Sequence, residues 1–217
     1  KAYLAAHGVP TPAYRSVAPG EDASVCSGLE FPLFVKPRSE DASLGIGMNS
    51  RVTSTTELAE RIAYIHRTYG QDALVEQFIA GREFNVALVG NNPSVVLPIS
   101  EIIFDSRLTV PIVTYEGKWQ EDSDQYTGTL PRCPAPLEPH EEAVLHKVAK
   151  RAYDLCGLQD YGRVDIRMED GVPFVLEVNA NPDISPEAGL ARSARIAGIP
   201  YDQLIRRIVE YALSRRK

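Results

Sequence analysis

Cysteine is scarce: Cys26, Cys133 and Cys156 are odd in number and widely spaced, so neither a disulfide framework nor a CxxC-type metal site can be built from them. They read as reduced thiols in a cytoplasmic protein. Basic residues are outnumbered, 23 against 29 acidic for a net charge of −6, which leaves no broad positive surface for a nucleic acid and no polybasic stretch for a membrane. No apolar run approaches the roughly 18–20 residues that span a bilayer, and no signal peptide opens the chain. The four histidines, His7, His66, His140 and His146, lack metal-ligand spacing. Repeats and low-complexity tracts are missing. What remains is a chain suited to small-molecule partners.

Hydrophobic residues make up 44% of 217, enough for one substantial domain or two small lobes. The chain opens with Lys1 and a short helix, KAYLAAHG, from which we expect it to begin within a larger protein. Leu33–Lys36 reads as a strand between two prolines. Ser54 and Glu57 form a capping box for a helix running to Tyr69 before Gly70. Strands are predicted over 73–77, 84–89, 95–97 and 99–104. From 105 to 136 no period emerges, which predicts a long functional loop. A helix over 139–156 places Val144, Val148, Ala152 and Leu155 on one face. Tyr161–Met168 and Pro173–Val178 flank a turn at Asp170-Gly171, and a helix follows from Tyr201 to Leu213. Without a steady βαβ rhythm, the fold class is α+β.

Chemistry first shows in that hairpin. Alternation along GRVDIRM sends Val164, Ile166 and Met168 to the core and Arg163, Asp165 and Arg167 to the other face. In the partner strand, FVLEVN, it assigns Phe174, Leu176 and Val178 to the apolar side and Glu177 and Asn179 to the polar one. Opposed residues share a face only if the loop has an odd residue count or the ladder holds a bulge, and a three-residue loop ending at Gly171 would serve. Asp165, Glu177 and Asn179 then offer the oxygen donors that magnesium prefers. Arg163 could hold charge developing on an oxygen during acyl transfer. The plain alternative is a solvated sheet face.

Two further segments suit a nucleotide. Lys36 closes an apolar strand and can reach a phosphate, and the loop from Ser39 to Gly47, which contains Ser43, offers backbone N–H groups without matching a standard phosphate motif. ALVEQFIAGRE supplies acids, Glu76 and Glu83, around an apolar clamp, Phe78 and Ile79, as adenine and ribose recognition requires.

Taken together, KAYLAAHGVPTP, FPLFVKP, ALVEQFIAGREF, YEGKW, CPAPL, YGRVDIRM and FVLEVNANP resemble, in order, the ATP-grasp superfamily and within it the D-alanine:D-alanine ligases. The resemblance implies an ATP-grasp fold of two α+β lobes clasping the nucleotide, about 1–79 and 80–217, with the family's N-terminal lobe upstream of Lys1. It implies Lys36 on the phosphates, the loop bearing Ser43 over them, and Glu76, Phe78, Ile79 and Glu83 at adenine and ribose. It further implies Lys118 closing on the γ-phosphate, Arg163 stabilising an oxyanion, and Asp165, Glu177 and Asn179 holding two Mg²⁺ ions, with Mn²⁺ as an alternative. The implied reaction joins a small carboxylate to an amine through an acyl phosphate, and the implied assembly is a homodimer.

Departures accompany the likeness. Asp41-Ala42-Ser43 stands where relatives carry Gly-Ser-Ser, and Lys118-Trp119 where they carry Lys-Tyr, so the hydrogen-bonded contact between that serine and tyrosine is not expected here. Pro182-Asp183 and Ala188-Gly189 replace Pro-Gly and Ser-Leu beside the acceptor, which predicts different substrates. A non-catalytic Mg-ATP module is the competing reading. It has no need for the full set of Lys36, Lys118, Arg163, Asp165, Glu177 and Asn179.

Overall fold

The computed structural model describes residues 1–215. In chain order the strands are β1 (Tyr14–Val17), β2 (Leu33–Pro37), β3 (Arg51–Val52), β4 (Ala73–Gln77), β5 (Arg82–Val89), β6 (Val95–Val96), β7 (Ser100–Phe104), β8 (Thr129–Arg132), β9 (Tyr161–Glu169) and β10 (Val172–Asn179). The α-helices are α1 (Ala2–Ala6), α2 (Thr55–Tyr69), α3 (Tyr115–Trp119), α4 (Asp124–Thr127), α5 (Pro139–Leu155), α6 (Gly189–Ile196) and α7 (Tyr201–Ser214). The stretch from 105 to 136, expected to be irregular, thus contains α3, α4 and β8. Elements of four or five residues are too short to leave a period in the sequence.

Two compact units divide the chain, and they exchange segments. The larger holds residues 1–11, 81–103 and 131–215, the smaller residues 12–80 and 104–130. A single cut near residue 80 therefore describes only the middle of the chain. Leu4 and Val9 bury in the larger unit's core, where Pro10 O accepts a hydrogen bond from Val175 N at 2.8 Å. The 104–130 segment is tied into the smaller unit by Tyr115 N donating to Ile46 O at 3.0 Å.

In the smaller unit the antiparallel sheet runs β1-β4-β2-β3. Leu33, Val35, Ala73 and Val75 point to one face and pack on Leu58, Ile62 and Ile65 of α2, spaced as one helical stripe demands. Burial of each such side chain is worth about 1.5–3 kcal/mol. Ser54 Oγ accepts from Glu57 N at 3.3 Å, while Glu57 reaches back to Thr53 N at 2.6 Å, one residue before the cap. Gly70, at φ 63°, ends α2 in the left-handed conformation.

In the larger unit the sheet order is β10-β9-β5-β7-β8, with β6 also on β5. One face carries Phe84, Val86, Leu88, Val164, Ile166, Met168 and Val175 against α5. The buried stripe of α5 is Leu145, Ala149, Ala152 and Tyr153, with Val148 and Leu155 at its margin and Val144 only half-buried. This stripe is rotated from the one expected, because Tyr153 and Leu145 carry the bulk of the contact. At one end of the opposite face Ala87 and Val89 meet Leu190, Ala194 and Leu204 of α6 and α7. Along β5 that face changes from apolar Val89 and Ala87 to polar Asn85 and Glu83.

The β9–β10 hairpin closes through two residues rather than three. Asp170 (φ 49°) and Gly171 (φ 75°) form the turn and Glu169 pairs with Val172, the type that matches strand twist. Pairing then runs straight to Val175 opposite Ile166, after which a bulge at Leu176 shifts the register. Val175 and Val178 therefore reach the core, whereas Phe174, opposite Arg167, lies on the polar face. In the expected apolar set of Phe174, Leu176 and Val178, Val178 stands, while Phe174 gives way to Val175 and Leu176 is the bulged residue.

Candidate functional site

The polar face of the larger unit is built by register. Cross-strand partners share a face, and the ladders set Asn85 and Glu177 on either side of Asp165, Glu83 beside Arg167, and Asn179 beside Arg163. The bulge at Leu176 is what brings Glu177 and Asn179 onto this face. Asp165 is 7% exposed, yet its oxygens are fully engaged. Arg163 grips it bidentately, Nε to Oδ1 at 2.6 Å and Nη2 to Oδ2 at 2.8 Å. Asn85 Nδ2 donates to Oδ1 at 2.8 Å and Asn179 Nδ2 to Oδ2 at 3.1 Å. Asn179 Nδ2 also reaches Glu177 Oε1 at 3.0 Å.

Burial pushes the Asp165 carboxyl up, to about 6, against the pull of the Arg163 guanidinium and with the help of nearby Glu177. The same partnership raises Arg163, chiefly through the charge of Asp165, so the guanidinium stays charged. Among the described residues no three His, Cys, Asp or Glu side chains cluster as metal ligands. A cation here would instead rest on two carboxylates and an amide oxygen, a hard-donor set that suits magnesium. The two carboxylates already stand opposed. Only Asn179 must rotate its amide, trading nitrogen for oxygen toward them.

Lys36, Glu76, Phe78 and Ile79 belong to the smaller unit. Lys36 and Glu76 project from the sheet face opposite the α2 core, with Nζ 3.8 Å from Oε2 and Glu76 3% exposed. Phe78 and Ile79 are buried, and the Arg51 guanidinium lies 5.3 Å from the Phe78 ring centroid. Glu83, grouped with them in the sequence, belongs to the larger unit, where it pairs with Arg167.

The 39–47 loop is held at several points within the smaller unit. Ala42 and Ser43 adopt positive φ, 50° and 62°, and Ser43 O accepts from Ile46 N at 2.9 Å. Gln71 accepts from Ser39 N at 2.6 Å, and Arg61 donates to Gly45 O and to Ser50 Oγ. Lys118 sits on α3, whose first turn is capped by Thr114 Oγ1 accepting from Gly117 N at 2.9 Å. One residue on, Trp119 Nε1 donates to Ala42 O at 3.2 Å. The contact expected to be lost with the serine and tyrosine is therefore rebuilt by an indole and a backbone carbonyl, which a side-chain comparison could not anticipate.

Alternation along β9 places Arg167 on the polar face without assigning it a role. Asn85 is not singled out from the sequence, although alternation from Glu83 along β5 places it on the same face.

Residues 4–210 match the family model described as the D-ala D-ala ligase C-terminus. The chain belongs to that family. Its curated relatives include the uncharacterised protein y4sG of Sinorhizobium fredii, 36% identical over 206 residues, covering 94% of this chain and 58% of the relative. A D-alanine-D-alanine ligase of Alcanivorax borkumensis is 33% identical over 211 residues, covering 96% and 61%. The chain thus spans about three-fifths of the length of these relatives. Among solved structures, the Bacillus anthracis D-alanine-D-alanine ligase superposes with a TM-score of 0.83 at 26% identity, covering 99% of this chain and 66% of that one. The same enzyme complexed with ATP gives 0.79 at 25%, covering 99% and 64%. The α+β fold of this D-ala D-ala ligase C-terminal domain is accordingly the ATP-grasp fold. Among its described residues no helix is long and apolar enough to cross a membrane.

Proposed function

We propose that this chain carries the ATP-binding and catalytic residues of a carboxylate-amine ligase, which activates a small carboxylate as an acyl phosphate and then joins it to an amine. The observation that carries this reading is the Asp165 cluster: Glu177 opposite, Asn179 and Asn85 alongside, and Arg163 attached, all on the polar end of a sheet face whose apolar end packs on helices. Structural ion pairs do not need three further oxygen-bearing side chains around them. In this reading Asp165, Glu177 and Asn179 hold magnesium, which would neutralise triphosphate charge.

Lys36 and Lys118 contribute cationic contacts to the phosphates, and the turn bearing Ser43 presents backbone N–H groups to them. Glu76, Phe78 and Ile79 serve the adenine and Glu83 the ribose. Arg163, permanently charged and rigid in its fork, stabilises the oxyanion formed when the amine attacks. Attack on the γ-phosphate by the substrate carboxylate forms the new P–O bond and releases ADP. The amine nitrogen then forms the new C–N bond and phosphate departs. The carboxylate substrate is an amino acid or short peptide, as in relatives named D-alanine-D-alanine ligase. Exposed Asp183 and the Ala188-Gly189 pair at the start of α6 favour a cationic or amine-bearing acceptor over one that presents a free carboxylate there. The protein acts in the cytoplasm and as a homodimer.

The test is ATP-dependent phosphate release across a panel of amino acids and dipeptides, with Glu177→Gln as control. Stimulation by one pair, lost in the variant, supports the ligase. Tight Mg-ATP binding with no stimulated release by any member would support a binding module instead.

A further inference from the structure

A second, separate ion pair occupies the polar face of the larger unit. Arg167 is 4% exposed and stands directly opposite Glu83 across the β9–β5 ladder. Its Nε donates to Glu83 Oε2 at 2.9 Å, and its Nη2 lies 2.8 Å from the same oxygen. Arg163, two residues earlier on the same strand, grips Asp165 with one bond to each carboxylate oxygen. The Arg167 fork instead converges on one oxygen, and no hydrogen bond to Glu83 Oε1 forms among the described residues. Ionised carboxylates offer about four acceptor sites, so a buried one gripped from one side retains strong acceptor capacity on the other.

Position indicates what that capacity is for. Glu83 and Arg167 lie one step along the strands, two residues or about 7 Å, from the row of Asn85, Asp165 and Glu177, whose two carboxylates the proposed function assigns to magnesium. In a nucleotide the group next to metal-bound phosphates is the ribose, and its hydroxyls are the natural donors to a fixed carboxylate. We propose that Arg167 is a positioning residue, which holds Glu83 through Oε2 so that Oε1 accepts a hydrogen bond from a ribose hydroxyl of the nucleotide. This deepens the ATP-dependent reading above and rests on it.

The experiment measures, by calorimetry on this chain, the dissociation constants of Mg-ADP and of its 2′-deoxy and 3′-deoxy analogues. Wild type, Arg167→Met and Arg167→Lys are compared, with circular dichroism to establish folding. A hydrogen bond to a charged acceptor predicts that wild type prefers the ribonucleotide over one analogue by about tenfold or more. In Arg167→Met the preference shrinks to about twofold, and in Arg167→Lys, which keeps the charge without the fork, to an intermediate value. A folded Arg167→Met with undiminished preference overturns the proposal, since a purely structural ion pair would leave this ratio alone. Should Arg167→Met fail to fold, Arg167→Lys decides: a preference reduced at least about threefold supports the proposal, an unchanged one overturns it. Wild type that binds all three nucleotides alike overturns the role of Arg167 while leaving the ligase reading standing. Wild type that binds no Mg-nucleotide overturns both.

Discussion

Glu177 stands directly opposite Asp165 because Leu176 is bulged out of β10, and the two carboxylates work as a pair with unequal structural roles. Asp165 is buried under four donated hydrogen bonds, whereas Glu177 is exposed. Asp165→Asn and Glu177→Gln should each cut ATP-dependent turnover on the order of 100-fold, and the double variant should lose little more, since the proposed function puts both at one metal site. Stability separates them. Asp165→Asn leaves Arg163 without its countercharge and should cost about 3 kcal/mol in urea unfolding, while Glu177→Gln should stay within about 0.5 kcal/mol.

Trp119 is the one tryptophan of the chain, and its indole N–H is bonded to Ala42 O. Its emission therefore reports on the 39–47 loop, and Mg-nucleotide addition should shift or quench it. Trp119→Phe removes the donor and should weaken nucleotide binding about 3–10-fold with faster proteolysis within 39–47. Ala42→Ser should change affinity less than about twofold, because the bond uses the backbone.

Lys36 and Glu76 form a partly buried pair 3.8 Å apart. Lys36→Met should raise the Mg-ATP dissociation constant about tenfold and also lower stability by about 1–3 kcal/mol, since Glu76 loses a neighbouring cation. Adding Glu76→Gln should recover part of the stability and none of the affinity. Denaturant melts beside calorimetry distinguish the two losses.

Gly81 begins the strand segment that leads to Glu83, and a Cβ there would lie 1.8 Å from Met168 O. Backbone atoms cannot move aside cheaply, so Gly81→Ala should cost more than about 3 kcal/mol or abolish soluble expression. Gly157, which meets nothing within 4 Å but has φ +67°, is the comparison. Its alanine variant should lose about 1 kcal/mol from backbone strain alone.

Much of the candidate site was readable in the amino-acid order. Strand alternation placed Arg163 and Asp165 on one face, and helix signals at Ser54, Gly70 and Pro139 marked α2 and α5. The ordered series of short segments by itself points to the family. Less readable were features set by neighbours distant in sequence. The rotated stripe of α5 depends on which strands it meets, and the attachment of 104–130 to the smaller unit depends on contacts with a loop some seventy residues earlier.

Local order decided that Asp165, Glu177 and Asn179 were the oxygen donors to consider, because residue type and a two-residue period are properties of each strand alone. Whether they would meet was decided in three dimensions, by a two-residue turn and a compensating bulge that leave no unique signature in composition. The same holds for Arg167 on Glu83 and Trp119 on Ala42: each bond joins residues remote in the chain, and only the packed backbone sets which atoms come within hydrogen-bonding reach.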